Sequence, residues 1–367
     1  MTKLHQLYRE FGQSPWLDNI KRGYITSGQL KKMVADGIRG LTSNPTIFQK
    51  AIQQSDDYDE QFRSLAKQGL SVERAYWSMV VADISAALDI LRAVHEESGG
   101  EDGFVSIELA PNLALETDKS IAAARELHER IDQPNLYVKI PGTANGVPAV
   151  RQMISEGRNI NITLLFSLER YDEIIEAYVS GLEAFAAGGG NVADVHSVAS
   201  FFVSRVDTEV DRRLEAMGTD EALALRGKAA VAQAQCAYKL FRQRSSGPRW
   251  DALAAKGARL QRPLWASTST KNPAYPDTLY VDSLIGPDTV NTMPDDTIAA
   301  FEDHGTLART LDADPDGAQR VLDQLGEVGV DLADVGRVLE EQGVAAFEKS
   351  FDELIGALQA KAAELTS

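Results

Sequence analysis

Eight short apolar runs, each followed by a stretch of helical period, constrain this chain more than any other feature. The runs are PWLDNI (15–20), GIRGLTSN (37–44), FVSIELA (104–110), LYVKIPG (136–142), NINITLLF (159–166), ADVHSVASFFV (193–203), RPLWAST (262–268) and TVNTMP (289–294). Between them lie amphipathic segments such as SGQLKKMVADG, TDKSIAAARELHERI and SLERYDEIIEAYVSGLEAF, several opened by Ser, Thr or Asp at a helix-capping position. In the last of these, Tyr171, Ile174, Ile175, Tyr178 and Leu182 recur on one helical face. Strand and helix in alternation is the pattern of parallel βα units. The simplest α/β architecture that uses all eight is a closed (β/α)8 TIM barrel. Segments 45–103 and 204–261 exceed the length of one connecting helix, so extra helices are expected there. Beyond 295 only helix-like sequence remains. The chain therefore reads as one barrel domain, 1–367, with 295–367 a helical C-terminal extension that packs on the outside or closes over one end.

Over 367 residues, 44% are hydrophobic and 25% charged, the proportions of a soluble globular protein. A net charge of −17 argues against nucleic acid or an anionic membrane as partner. No signal-peptide core opens the chain, and no apolar run approaches the ~18 residues of a membrane span. The expectation is a cytoplasmic protein, monomer or homodimer. Cys236, the one cysteine, lies in the helix-like AVAQAQCAYKLF and reads as a buried small hydrophobe. His5, His95, His128, His196 and His304 lack metal-ligand spacing, and there is no Gly-rich phosphate loop, so neither metal nor other cofactor is expected.

Strand parity then sorts the polar residues. Alternate side chains of a strand face opposite sides. In LYVKIPG, Tyr137 and Lys139 oppose Leu136, Val138 and Ile140; in FVSIELA, Ser106 and Glu108 oppose Val105, Ile107 and Leu109; in NINITLLF, Asn161 and Thr163 oppose Ile162 and Leu164. The apolar set is expected to meet the helices and the polar set to point into the barrel, unless a bulge inverts the parity. Each polar residue, with Asp18 and Asn44, falls near the C-terminal end of its strand, where barrels of this kind carry their active sites. Plainer roles exist for each: Asp18 as a helix cap, Asn44 as a turn former, Glu108 with Lys139 as a structural ion pair.

A lysine in an apolar strand can act as a Schiff-base nucleophile. An unperturbed lysine is neutral only to about 0.04% at pH 7, so the surroundings must disfavour the ammonium. On this reading Lys139 sits in largely apolar surroundings, with Glu108 near but out of direct contact and joined to it through a water. Carbon–carbon cleavage beside the resulting iminium needs a base for a hydroxyl proton, a role that suits Asp18. Asn44 and Asn161, which both donate and accept, suit a hydroxylated ligand.

The segments WLDNI, GLTSNPTIF, IELAP, YVKIPGT, NITLLFS, SFFVSR and WASTSTKNP, followed by NTMP, resemble transaldolase from about residue 14 to 294. The resemblance implies a class I aldolase barrel that moves a dihydroxyacetone unit from sedoheptulose 7-phosphate to glyceraldehyde 3-phosphate, giving erythrose 4-phosphate and fructose 6-phosphate. It makes Lys139 the Schiff-base lysine, Asp18 the acid/base at the cleaved bond, and Glu108 with Thr163 the holders of a catalytic water. Asn44 and Asn161 would hold the dihydroxyacetone hydroxyls, Ser200 would touch substrate, Phe202 would wall the site and Arg205 would bind phosphate. Many transaldolases carry a second phosphate-binding arginine in a Gly-Ala-Ser-aromatic-Arg pattern. Here the segment reads WASTSTK, in which Ser267 matches the serine and Lys271 offers the second charge without arginine's fork. The alternatives are a fructose-6-phosphate aldolase-like lyase, whose members are shorter and typically carry glutamine and tyrosine at the positions of Glu108 and Phe202, and a non-catalytic sugar-phosphate-binding barrel.

Overall fold

Strands that pair in parallel and are covered by helices bury both faces, and so read as nearly continuous apolar runs. The computed structural model, which describes residues 1–366, has this character. Each run carries one strand: β1 (Gln13–Leu17), β2 (Leu41–Thr42), β3 (Val105–Glu108), β4 (Leu136–Pro141), β5 (Ile160–Leu165), β6 (Ser197–Phe202), β7 (Gln261–Ala266) and β8 (Thr289–Met293). They form one closed barrel in chain order, with β8 returning to pair in parallel with β1. Every strand position is buried except Arg262, which is half-buried.

The helices form where capping and periodicity place them. Ser167 accepts a hydrogen bond from the Arg170 amide to open Leu168–Ala187, and Tyr171, Ile174, Ile175, Tyr178 and Leu182 are all buried on its inner face. The two long intervals hold extra helices, among them Pro45–Gln53, Asp59–Lys67 and Val72–Glu97 in the first, and Ser204–Met217 and Ala229–Arg244 in the second. Three more follow β8: Asp295–His304, Pro315–Glu327 and Leu332–Thr366. Cys236 is buried in the Ala229–Arg244 helix, and burial pushes its thiol pKa up, away from reactivity. No helix among the described residues is long and apolar enough to cross a membrane.

The N-terminal end of the barrel is closed by packing and charge. Tyr137 stacks on Phe104 at 4.2 Å between ring centroids and lies 6.2 Å from Trp16. The Trp16 indole lies so close to Gly40 that a Cβ there would stand 2.3 Å from a ring carbon, which only glycine avoids. Asp102, fully buried, gathers the Ser14 hydroxyl, the Trp16 indole N–H at 3.0 Å, Arg39 at 2.8 Å and Arg262 at 3.3 Å. Around this end His95, His128 and His196 also line one cleft, and burial pushes the last two down to about 4. Among the described residues no three His, Cys, Asp or Glu side chains are grouped as metal ligands.

Replacing Asp102 with alanine strands two arginines, an indole N–H and a hydroxyl around an apolar methyl. The expected loss is about 3–5 kcal/mol, the range for breaking a buried ion pair from one side, read from the midpoint of a urea melt. An unshifted midpoint would show that the network does not hold the barrel floor.

Candidate active site

Pairing register explains why polar residues far apart in sequence meet at the other end. Thr42 aligns with Ser106, Glu108 with Lys139, and Lys139 with Asn161. Aligned residues of neighbouring parallel strands share a face, so all of these point into the barrel. A bulge does interrupt β5, between Ile162 and Leu165, where Leu164 takes a φ of 60°. The irregularity is on the β6 side; against β4 the register runs unbroken from Asn161 through Thr163, so both keep their inward parity.

Lys139 corrects one expectation. Its Nζ lies 3.1 Å from Glu108 Oε2 and donates to the Ser43 carbonyl at 3.1 Å, so the two side chains touch and the surroundings are polar. The cause is register. Glu108 and Lys139 stand side by side on adjacent strands, about 4.8 Å apart across the ladder, and no room separates them. Burial pushes the Glu108 carboxyl pKa up, with the Lys139 charge opposing. The Oε2 atom meets Lys139 at ion-pair distance but without hydrogen-bond alignment, and Thr163 Oγ1, also buried, has no protein partner.

Asp18 follows β1 and accepts a hydrogen bond from Thr42 Oγ1 at 2.8 Å; Thr42 in turn meets Thr292 Oγ1 at 2.6 Å. The carboxyl opens onto a cavity but lies deep within it, and this desolvation raises its pKa against the pull of Lys139, the Thr42 bond, Lys271 and Arg205. Burial thus raises the pKa of both carboxyls that feel the Lys139 charge.

The cavity encloses about 370 Å³ and is lined by Asp18, Asn44, Lys139, Ser200, Phe202, Arg205, Ser267 and Lys271 from the expected set. Glu108, Asn161 and Thr163 lie behind this wall, buried. Asn161 is wholly enclosed: its amide donates to Ser106 Oγ at 2.9 Å and its carbonyl accepts from Ser200 Oγ at 2.7 Å, so both ends are occupied by protein. Asn44 caps the Pro45–Gln53 helix by accepting from the Ile47 amide at 2.9 Å, which leaves its amide group for the cavity. Ser267, at a φ of 57°, shares a 2.8 Å hydroxyl contact with Ser204 and so ties the end of β7 to the helix that carries Arg205. The Arg205 guanidinium lies 5.3 Å from the Phe202 ring centroid and 5.9 Å from that of Phe347. Burial lowers its pKa while Glu108 and Asp18 raise it; an arginine so placed stays charged.

Sequence reasoning missed Thr42, Thr292, Lys50 and Phe347, all on the cavity wall. The first two obey the same strand parity as Asp18 and Asn44 and were within reach of it. Phe347 comes from the Leu332–Thr366 helix, which crosses the mouth. That helix is fastened to its neighbours by Thr46 to Ser350 at 2.9 Å, Gln49 to Glu353 at 2.9 Å and Arg213 to Asp334 at 2.8 Å.

The Transaldolase/Fructose-6-phosphate aldolase family model matches residues 15–358. A transaldolase of Frankia alni is 50% identical over 349 residues, 95% of this chain and 94% of its own. Those of Thermobifida fusca and Mycolicibacterium smegmatis are 49% identical over 356 residues and 47% over 350, covering 96% and 95% of this chain and 96% and 94% of theirs.

The two asparagines should separate in a denaturation experiment. Asn161→Ala removes a bridge between buried hydroxyls and is expected to cost about 1–3 kcal/mol for each group left unpaired. Asn44→Ala loses a helix cap worth about 1 kcal/mol. Equal losses would contradict the enclosed position of Asn161.

Proposed function

The chain belongs to the transaldolase/fructose-6-phosphate aldolase family, and on that premise we propose how its residues move a dihydroxyacetone unit from sedoheptulose 7-phosphate to glyceraldehyde 3-phosphate. Lys139 Nζ adds to the ketose carbonyl, and loss of water gives an iminium. Asp18 takes the proton of the hydroxyl next to the scissile bond; the bond electrons pass into the iminium, and erythrose 4-phosphate leaves. The enamine left on Lys139 attacks the acceptor aldehyde, Asp18 returns the proton, and hydrolysis of the new iminium frees fructose 6-phosphate.

The observation that carries this reading is the Lys139 amine in contact with Glu108, with Asp18 on the wall of the same cavity. Burial raises both carboxyl pKa values, the direction that makes a carboxylate a better proton acceptor. Glu108 exchanges the carbinolamine proton, and a water held between it and Thr163 gives Thr163 Oγ1 the partner it otherwise lacks. Asn44 and Ser200 meet the hydroxyls of the three-carbon unit from the cavity wall. Asn161 acts one layer further back, by fixing the Ser200 hydroxyl. Phe202 forms the apolar wall and steadies Arg205, which binds the phosphate with Lys271. Ser267 holds the Arg205 helix in place. The partners are sugar phosphates, the compartment the cytoplasm, the assembly a monomer or homodimer, and residues 295–366 a helical extension of one barrel domain, residue 367 of the expected 295–367 lying outside the described residues.

Borohydride reduction in the presence of fructose 6-phosphate is expected to leave a dihydroxyacetone-derived mass on the peptide that contains Lys139; an unmodified lysine under conditions where substrate binds would sink the assignment. Erythrose 4-phosphate should speed consumption of fructose 6-phosphate, whereas free dihydroxyacetone as main product would mark an aldolase instead. Glu108→Gln should lower kcat by about 10²–10⁴, the usual range for a proton-transfer group, and a rate within tenfold of the unsubstituted protein would remove Glu108 from the proton path.

A further inference from the structure

Three cations stand at the cavity mouth of a chain whose net charge is −17: Arg205, Lys271 and Lys50. Many of the other arginines sit on carboxylates, as Arg249 does on Glu176 and Glu183 and Arg244 on Asp172. Among the described residues none of the three at the mouth has a carboxylate within ion-pair distance; Lys271 bonds only the Ser269 hydroxyl and Lys50 makes no side-chain hydrogen bond. Burial lowers the Lys271 amine pKa, and the charges of Arg205 and Lys50 lower it further. Asp18 on the same wall, with Glu108 behind it for Arg205, offsets part of this charge; the excess of positive charge that remains at one mouth favours an anion lying between the three.

Lys50 is exposed and has the sequence look of an ordinary surface lysine. Its helix gives it a fixed direction. Thr46, Ile47 and Lys50 fall on one face at i, i+1 and i+4, and all three line the cavity. The helix itself is held by the Asn44 cap and by the Thr46 and Gln49 bonds to the Leu332–Thr366 helix.

We propose that Lys50 is a specificity-determining residue that binds the substrate phosphate together with Arg205 and Lys271, so that three cations meet the three peripheral oxygens of one dianion. Arginine offers a planar fork and the two lysines offer point charges, which together replace the bidentate grip of a second arginine. This assignment rests on the transaldolase reading only in taking the substrate to carry a phosphate ester.

The test compares fructose 6-phosphate with unphosphorylated fructose as donor, erythrose 4-phosphate being the acceptor, in the unsubstituted protein, Lys50→Met and Lys50→Arg. The ratio of kcat/KM for the phosphorylated over the unphosphorylated donor should fall roughly 10- to 100-fold in Lys50→Met, the worth of one charge-assisted hydrogen bond, and return in Lys50→Arg. Inorganic phosphate should inhibit Lys50→Met more weakly by a similar factor. A ratio and a phosphate inhibition constant both within twofold of the unsubstituted protein would overturn the proposal. So would a fall in Lys271→Met with none in Lys50→Met. Borohydride trapping on Lys139 of the unsubstituted protein, run in parallel, reports separately on the transaldolase reading: its failure strikes that reading and leaves the phosphate ratio to be judged alone.

Discussion

A buried amine in contact with a buried carboxyl is the interaction around which the rest of this molecule is arranged. Glu108 and Lys139 lie 3.1 Å apart, both nearly closed to solvent. Burial penalises the charge on Glu108, and the Lys139 charge offsets part of that penalty. Interior ion pairs add little net stability compared with apolar side chains of similar volume, so the contact is better understood as chemistry than as adhesion. The polar neighbours are the Ser43 carbonyl, which accepts from Lys139, and the hydroxyls of Thr42 and Thr292 beside Asp18.

That contact exists because the barrel closes in one register. β3 and β4 align Glu108 with Lys139, and β4 and β5 align Lys139 with Asn161, so three side chains share one level of the interior. The two ends of the barrel use charge in opposite ways. Asp102 at the N-terminal end is surrounded by donors that satisfy it from within the protein. Arg205 at the other end rests on the faces of Phe202 and Phe347, an arrangement that holds a guanidinium without neutralising it.

The strands were legible in the sequence because parallel, doubly buried strands give unbroken apolar runs, and even β2, only two residues long, announced itself within GIRGLTSN. Parity was legible as well, and it placed Glu108, Lys139, Asn161 and Thr163 on the interior face. Register was not. Nothing in FVSIELA or LYVKIPG states which residue of one stands beside which of the other, so the direct Lys139 contact was missed, as was the depth of Asn161. Lys50 and Phe347 were illegible for another reason. Each sits on a helix whose sequence is compatible with any outward face, and only tertiary packing turns those faces to the cavity.

The position of Phe347 has a consequence for synthesis. β1 finds its second partner only when β8, some 270 residues later, has been made, and the cavity gains its last wall only with the Leu332–Thr366 helix. On a ribosome, where domains form as the chain emerges, nearly the whole length must leave the exit tunnel before a substrate meets a finished mouth. Contacts between such distant segments slow folding. They also mean that a prematurely terminated chain, even one with all eight strands, would leave Arg205 only Phe202 of the two aromatic faces on which it rests.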